Sequence, residues 1–235
     1  MLSWKRILTL LALGSILTPT LLWAADAVRE NIEKPVQQAI DTRQATQKAE
    51  EAWRNEREQR KALLASLEQE LRSALGMRPS QIVAVVKESG LRGRGGAGFP
   101  TGIKWETVRA APGEKKHIVC NADEGDSGTF ADRMLMEGDP FCLIEGMIIA
   151  GLGVGAETGF VYLRSEYPDA IDVLTAAVGI AREAGLLGAS VLGSDRAFDM
   201  EVRIGAGAYV CGEETSLLNS PEGKRGVVQT KPPLP

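Results

Sequence analysis

The chain has 235 residues, of which 44% are hydrophobic and 25% charged, so it can bury a core rather than remain disordered. Its 27 basic and 31 acidic residues leave a net charge of −4, which gives no electrostatic reason to expect a nucleic-acid partner. The three cysteines lie far apart and form no CxxC pair, and there is one histidine, which disfavours a zinc ribbon, a self-contained iron–sulfur site, a disulfide framework and a His-based triad.

The first 24 residues have the layout of a secretory signal. Lys5 and Arg6 precede an apolar stretch over residues 7–23, and small residues follow at Ala24 and Ala25. This pattern predicts export to the periplasm. The alternative is an uncleaved segment, through which residues 1–24 would hold the chain at a membrane.

Residues 25–75 are predicted to form one long charged helix or coiled coil. Apolar residues recur at helical spacing, most clearly at Leu64, Leu67 and Leu71, and the intervening positions carry charges of both signs. Such a helix is either a solvated face or a surface for a partner helix. The stretch from Glu33 to Trp53 is similar to the start of periplasmic coiled-coil proteins that accompany TonB-type transport systems.

Beyond residue 75 glycine becomes frequent and the apolar runs shorten, which predicts a separate domain over residues 76–235. Its predicted strands alternate with helices, which indicates an α/β fold with a parallel sheet covered by helices. The predicted strands are His117–Asn121, Gly159–Arg164 and Phe198–Ile204, and the predicted helices are Ser80–Ser89, Ile103–Ala110, stretches near 130–156, and Pro168–Glu183.

A glycine loop at residues 93–98 is the first candidate site. It fits the pattern G-x-G-x-x-G, but a helix rather than a strand is predicted before it, so a purely structural turn is an alternative to a Rossmann fingerprint. Glycines would let the backbone approach a flat or phosphorylated ligand, Arg94 and Lys104 would supply positive charge, and Phe99 could stack on a ring.

Two further segments carry polar side chains at positions that suit a ligand. The acidic loop, residues 121–130, reads NADEGDSGTF; it alternates like a calcium loop, but Asp126 stands where the sharp turn needs glycine. Its carboxylates are then solvated turn residues or acceptors for hydroxyl and N–H groups of a ligand. The third motif, residues 205–220, reads GAGAYVCGEETSLLNS between a predicted strand and a predicted helix, where Glu213 and Glu214 could also be simple partners of the helix dipole.

In this order and spacing, the three segments resemble the NADH- and FMN-binding flavoprotein subunit of respiratory complex I, the 51 kDa-type subunit, over about residues 71–235. The form with Asp126-Ser127 and Met134-Leu135-Met136 looks closer to the beta subunit of NAD-dependent formate dehydrogenases. The resemblance implies a Rossmann-like FMN-binding domain that passes a hydride between NAD(H) and FMN, as a diaphorase subunit of a multi-subunit cytoplasmic oxidoreductase.

The resemblance also implies which residues bind, while no side chain is expected to act as a catalyst or to ligate a metal. The implied cofactor-binding residues are Gly93, Arg94, Gly95, Gly96, Gly98, Phe99, Lys104, Asn121, Asp123, Asp126, Tyr209, Gly212, Glu213, Glu214 and Lys231. Thr107 and Leu234 stand where the family often has aromatic residues, which is expected to weaken stacking on the nicotinamide nucleotide.

The resemblance places further parts of the family after Pro235: the rest of the flavin phosphate site and the domain whose cysteines bind a [4Fe–4S] cluster. We therefore expect this chain alone to bind FMN weakly or not at all, and we interpret the unlike halves as a fusion. Two competing hypotheses stay open. The chain could be an exported coiled-coil interaction protein with a non-functional α/β remnant, or the glycine loop could bind another nucleotide.

Overall fold

A computed structural model describes residues 64–231 without a gap, together with residues 34, 36–38, 40–48, 51, 55, 58 and 62. Contacts divide the chain into two compact units, Met1–Lys61 and Ala62–Pro235. The predicted signal segment lies outside the described residues. In the first unit, the described positions are helical and exposed. No helix in the part of the chain that the structure describes has the length and apolarity needed to cross a membrane.

The second unit is built on a parallel sheet of three strands, in the order β1 (His117–Ala122), β2 (Thr158–Leu163) and β3 (Asp199–Ile204). The register aligns Asn121 with Tyr162, and Tyr162 with Arg203. Parallel neighbours need a crossover connection, and helices provide both of them here. The predicted α/β fold with a parallel sheet is confirmed, with strand ends within one residue of the expected positions.

Seven helices flank the strands within the second unit. They are α1 (described as helical over 64–75), α2 (Pro79–Glu88), α3 (Thr101–Ala110), α4 (Ala131–Gly138), α5 (Pro140–Val154), α6 (Pro168–Glu183) and α7 (Glu214–Asn219). The predicted stretch near 130–156 contains two of these helices because Asp139 and Pro140 separate them. The Asp139 side chain accepts a hydrogen bond from the N–H of Cys142, and Pro140 starts α5 at a position where its missing N–H costs nothing.

The main core lies between one face of the sheet and helices α5 and α6. Val161 and Leu163 of the central strand are fully buried there, with Ile144, Ile148 and Leu174 of the helices. Because side chains alternate along a strand, Tyr162 points to the other face, where it packs with Cys211 and Leu217 in a smaller cluster. Leu67 and Leu71 of α1 are also buried in the main core, so this part of the long helix packs as part of the second unit.

Candidate functional site

The carboxyl ends of the three strands meet at one edge of the sheet, and each runs directly into a polar segment. The acidic loop follows β1, residues 164–167 follow β2, and the third motif follows β3. In open α/β sheets, ligands bind outside the carboxyl ends of the strands because loops from neighbouring strands converge there. Two of the three segments singled out in the sequence therefore start from the same edge.

The acidic loop and the third motif are in direct contact. The side-chain amide of Asn121 donates a hydrogen bond of 2.7 Å to the carbonyl oxygen of Gly212, across 91 positions of the chain. The side-chain oxygen of Asn121 accepts a hydrogen bond from the N–H of Asp123 at 3.2 Å, so one side chain links both loops. A Cβ atom at Gly212 would lie 3.2 Å from the carbonyl oxygen of Asp123, which shows how closely the two backbones approach.

Tyr209 and Asp126 make a second bridge between these loops. The Tyr209 hydroxyl donates to Oδ1 of Asp126 at 2.6 Å, and this bond raises the pKa of Tyr209 above its usual value. The Tyr209 ring also covers Gly125, where a Cβ atom would come within 2.7 Å of the ring. With 70% of its surface exposed, Tyr209 presents a flat aromatic face to solvent while its hydroxyl is held.

A small cleft of about 60 Å³ opens between the two loops and the segment after β2. Its lining residues are Asp123, Gly125, Arg164, Glu166, Gly207, Ala208 and Tyr209. Partial burial raises the pKa of Asp123, and the Arg164 guanidinium opposes that rise by stabilising the charged form. The cleft therefore offers a carboxylate, a guanidinium and an aromatic ring within one concave surface.

Glu213 and Glu214 lie at the start of α7 and contact Lys231. The Glu213 carboxylate accepts from the N–H groups of Thr215 and Ser216 at 2.9 and 3.0 Å, which caps the helix. The hydroxyl of Thr215, the N–H of Ser216 and Lys231 together lower the pKa of Glu213 to about 2. The two amides expected to receive an anion are thus bonded to Glu213, because its side chain folds back over the helix start.

Lys231 and Lys104 bring two cations to the same pair of carboxylates. Lys231 Nζ lies 3.0 Å from Glu213 and also contacts Glu214, and these contacts raise the pKa of Lys231. Lys104 of α3 lies 4.0 Å from Glu214 Oε2. This contact connects the helix that follows the glycine loop to the third motif.

The glycine loop is an exposed turn closed by its own hydrogen bonds. Gly93 donates its N–H to the carbonyl oxygen of Phe99 at 2.9 Å, and the Arg92 guanidinium donates to the carbonyl oxygen of Gly98 at 2.9 Å. Gly96 and Gly98 have positive φ, and open space lies where their Cβ atoms would be. Among the described residues, the N–H groups of Gly95, Gly96 and Gly98 have no hydrogen-bond acceptor, so they are available to an anion.

Two of the three segments thus meet directly, and the glycine loop is linked to the third motif through Lys104 of the helix that follows it. The acidic loop and the third motif share a cleft, whereas no residue of the glycine loop lines that cleft in the described part of the chain. Arg94 belongs to the glycine loop, and Phe99, which directly follows it, is exposed.

Several contributors were not selected from the sequence, among them Arg164 and Glu166, which line the cleft, and Glu124 and Tyr167, which lie behind the acidic loop. Arg164 donates to the backbone carbonyl of Glu124, and Tyr167 contacts the Glu124 side chain. Their position immediately after a strand of a parallel sheet was the signal that could have indicated them.

The donor and acceptor groups present fit a flavin nucleotide. A flavin ring needs hydrogen-bond donors and acceptors at its polar edge, a close backbone and an aromatic neighbour, while its phosphate needs N–H donors or cations. Asn121, Asp123 and Tyr209 provide the first set, and the free amides of the glycine loop with Lys104 provide the second. No group of side chains that could hold a metal ion occurs among the residues the structure describes.

A fold of this kind, with ligand-binding loops at the carboxyl edge of a parallel sheet, defines a nucleotide-binding α/β domain. Residues 86–235 match the model of the Nuo51 FMN-binding domain family. This match covers more than half of the chain, and the chain belongs to this family.

Named relatives agree with this assignment. The chain is 55% identical over 165 residues to the NADP-reducing hydrogenase subunit HndC of Solidesulfovibrio fructosivorans, covering 70% of this chain and 34% of that protein. It is 54% identical over 166 residues to a subunit of the NADH-quinone oxidoreductase of Rhizobium meliloti (strain 1021), covering 70% and 39%. The chain thus spans between a third and two fifths of the length of these relatives.

A solved structure shows the same fold. The crystal structure of an NAD+-reducing [NiFe]-hydrogenase in its H2-reduced state superimposes with a TM-score of 0.63 at 43% sequence identity, covering 69% of this chain and 27% of that chain. The resemblance to the complex I flavoprotein family is confirmed, as is the prediction of FMN as the cofactor of this family. The closer likeness to formate dehydrogenase stays a prediction.

Proposed function

We propose that this chain binds FMN and a nicotinamide nucleotide and serves as the hydride-transfer module of a multi-subunit NADH-oxidising oxidoreductase. Family membership supports the FMN part of the proposal, and the names of the relatives support the rest. The observation that carries it is the bond between Asn121 and Gly212, which closes the acidic loop onto the third motif beside the cleft.

The proposed binding residues divide by the chemistry of the ligand. Asn121, Asp123, Tyr209 and Gly212 would hold the flavin ring through one amide, one carboxylate, one aromatic face and one close backbone. The glycine loop with Arg94, and Lys104 after it, would receive phosphate groups through N–H donors and positive charge. Phe99 is exposed and available for stacking on a nucleotide ring.

The nicotinamide side is proposed at Asp126, Glu214 and Lys231. When bound, FMN supplies the chemistry, because it accepts two electrons as a hydride and releases them singly. The side chains of this chain then orient the two ligands and exclude water, and none of them needs to act as a nucleophile or general base. The Thr215 hydroxyl, the N–H of Ser216 and Lys231 lower the pKa of Glu213 to about 2, so this carboxylate is charged at neutral pH.

Partner subunits and domain limits are also proposals. The relatives are named as subunits, so we propose that this chain works with other subunits of an oxidoreductase in the cytoplasm. We further propose the divisions 1–24, 25–75 and 76–235, as a signal-like segment, a charged helix whose last part, α1, packs on the domain, and the nucleotide-binding domain. Detection of the mature N-terminus and of the compartment holding the chain would test the export that the first segment predicts.

Titration of the full chain with FMN tests the proposal. We expect saturable quenching of flavin fluorescence, and Asp123→Asn should weaken it about 10-fold, since a charge-assisted hydrogen bond contributes roughly 1.5–3 kcal/mol. Asp195→Asn is the matched control because it makes the same charge change at an exposed site near the amino end of β3, away from the cleft. Adding NADH should then bleach the visible absorbance of the bound flavin.

Two outcomes would contradict the proposal. One is the absence of saturable binding at millimolar FMN, and the other is an equal affinity of the Asp123→Asn and Asp195→Asn variants for FMN. Tighter binding of ATP than of FMN would favour the alternative in which the glycine loop holds another nucleotide.

A further inference from the structure

Tyr167 lies at the end of the segment that follows β2, and its hydroxyl faces the acidic loop. It lies 3.2 Å from Oε2 of Glu124, 3.3 Å from the carbonyl oxygen of Glu124 and 3.3 Å from the carbonyl oxygen of Thr129. All three atoms are acceptors, so the single hydroxyl proton of Tyr167 is shared among them. These acceptors stand on the two sides of the bend at residues 125–128, which one buried hydroxyl thereby holds together.

The Glu124 side chain extends this connection to the next helix. Glu124 as a residue is only 8% exposed, and its two carboxylate oxygens accept from the N–H groups of Asp132 and Arg133 at 3.1 and 3.2 Å. These amides belong to the first turn of α4, where a negative charge is stabilised by the helix dipole. Burial, followed by the charge of Glu124, raises the pKa of Tyr167, which keeps its hydroxyl protonated and able to donate.

Two arginines complete the surroundings of the Tyr167 ring. The guanidinium carbons of Arg133 and Arg164 lie 5.4 and 5.5 Å from the ring centroid, within the range of cation–π attraction. Arg164 also donates to the backbone carbonyl of Glu124 and lies 3.0 Å from Glu166. Because Arg164 lines the cleft, the network behind the acidic loop reaches the cleft itself.

We infer that Tyr167 is the positioning residue of the acidic loop: acting through Glu124 and Arg164, it holds Asp123 and Asp126 in the orientation in which they face Tyr209 and the cleft. Its hydroxyl points into the loop, and it does not line the cleft. The inference rests on the proposed function for its effect on FMN, whereas its effect on the loop can be measured without any ligand.

Hydrogen exchange of the ligand-free chain tests the effect on the loop. Tyr167→Phe removes one hydroxyl and keeps the ring, so we expect the amides of residues 124–133 to exchange about 10-fold faster, which corresponds to loss of a hydrogen bond to a charged group. Tyr162→Phe is the matched control, because the Tyr162 hydroxyl bonds Ser220 at 2.9 Å and not the acidic loop. It should leave exchange at residues 124–133 unchanged.

The effect on FMN is measured in the same variants. Tyr167→Phe should raise the Kd for FMN about 10-fold. Glu124→Gln should act through the same bond, so in the double variant the increase in Kd should be much smaller than the product of the two single increases. Phe198→Leu controls for general destabilisation, since Phe198 is fully buried at the amino end of β3 and should lower the unfolding midpoint without changing the Kd.

The outcomes separate this inference from the proposed function. Unchanged exchange at residues 124–133 in Tyr167→Phe, or independent effects of Tyr167→Phe and Glu124→Gln on the exchange rate, would overturn the positioning role. If the wild-type chain binds no FMN, but Tyr167→Phe still shows the expected faster exchange relative to wild type, the proposed function is refuted and the role of Tyr167 in the loop is supported.

Discussion

Asn121 is the residue at which the two site loops can be separated with the smallest change. Its side-chain N–H donates a hydrogen bond of 2.7 Å to the carbonyl oxygen of Gly212, and its side-chain oxygen accepts one from the N–H of Asp123. Asn121→Ala therefore removes both bonds. A typical hydrogen bond contributes about 0.5–1.5 kcal/mol, and Asn121 is exposed, where water replaces part of the loss. We therefore expect Asn121→Ala to lower the free energy of unfolding by about 1 kcal/mol.

Asn121→Asp keeps the size of the side chain and should cost more than the alanine variant at neutral pH. It places a carboxylate oxygen against the carbonyl oxygen of Gly212 where an N–H stood, so repulsion of about 1 kcal/mol is added to the lost bond. Protonation of the introduced carboxyl restores a donor, so this extra loss should shrink as the pH falls toward about 4 and be absent below it. The carbonyl oxygen of Gly212 faces the introduced carboxyl in the folded state and raises its pKa there. The contribution of this carboxyl to stability therefore becomes more favourable as the pH falls.

Urea unfolding followed by circular dichroism measures these differences, and FMN titration shows whether they extend to the site. A loss of 1–2 kcal/mol corresponds to roughly a fivefold to thirtyfold increase in the Kd for FMN if the contact between the loops forms the site. We expect wild type to bind most tightly, Asn121→Ala less tightly and Asn121→Asp least tightly. An Asn121→Asp chain at neutral pH that matches or exceeds Asn121→Ala in stability would refute the reasoning.

Three further changes test the packing and the electrostatics. Gly102→Ala should destabilise the chain by about 1–3 kcal/mol, since its Cβ would lie 2.3 Å from the backbone of α2, as thermal unfolding would show. Phe198→Ala should cost about 3–5 kcal/mol in urea unfolding because the ring is fully buried. Thr215→Val should raise the pKa of Glu213 from about 2 toward its ordinary 4.5 in a carboxyl-carbon NMR titration, because the Thr215 hydroxyl is the largest cause of the shift.

Each of these predictions has an internal check. Gly146→Ala in α5, where a Cβ meets open space, should stabilise the chain by about 0.5–1 kcal/mol, so equal effects at Gly102 and Gly146 would contradict the packing argument. An unchanged free energy of unfolding in Phe198→Ala would contradict the role of Phe198 in the core. The depressed pKa of Glu213 stabilises the fold at neutral pH, and this contribution is lost as the pH falls from 4.5 to about 2; a titration midpoint near 4.5 in wild type would contradict it.

Local signals predicted the elements well where they were strong. The helix α6 begins and ends at Pro168 and Glu183 as expected, because a proline at the first turn and an apolar periodicity define it locally. The third motif deviated: after β3 the chain first makes a single 3₁₀ turn at Tyr209–Gly212, and α7 is only six residues long. Gly212 and the capping Glu213 set where α7 begins, and a sequence pattern does not show which amides a side chain will cap.

The sequence by itself determined the class of fold, the three candidate segments and the flavin family, because helix and strand periods and loop composition are local properties of the chain. Only the tertiary structure decided which segments touch. Asn121 and Gly212 are 91 positions apart, and they meet because the parallel register brings the carboxyl ends of β1 and β3 to one edge. The role of Tyr167 likewise depends on three oxygens that only folding brings within 3.3 Å of its hydroxyl.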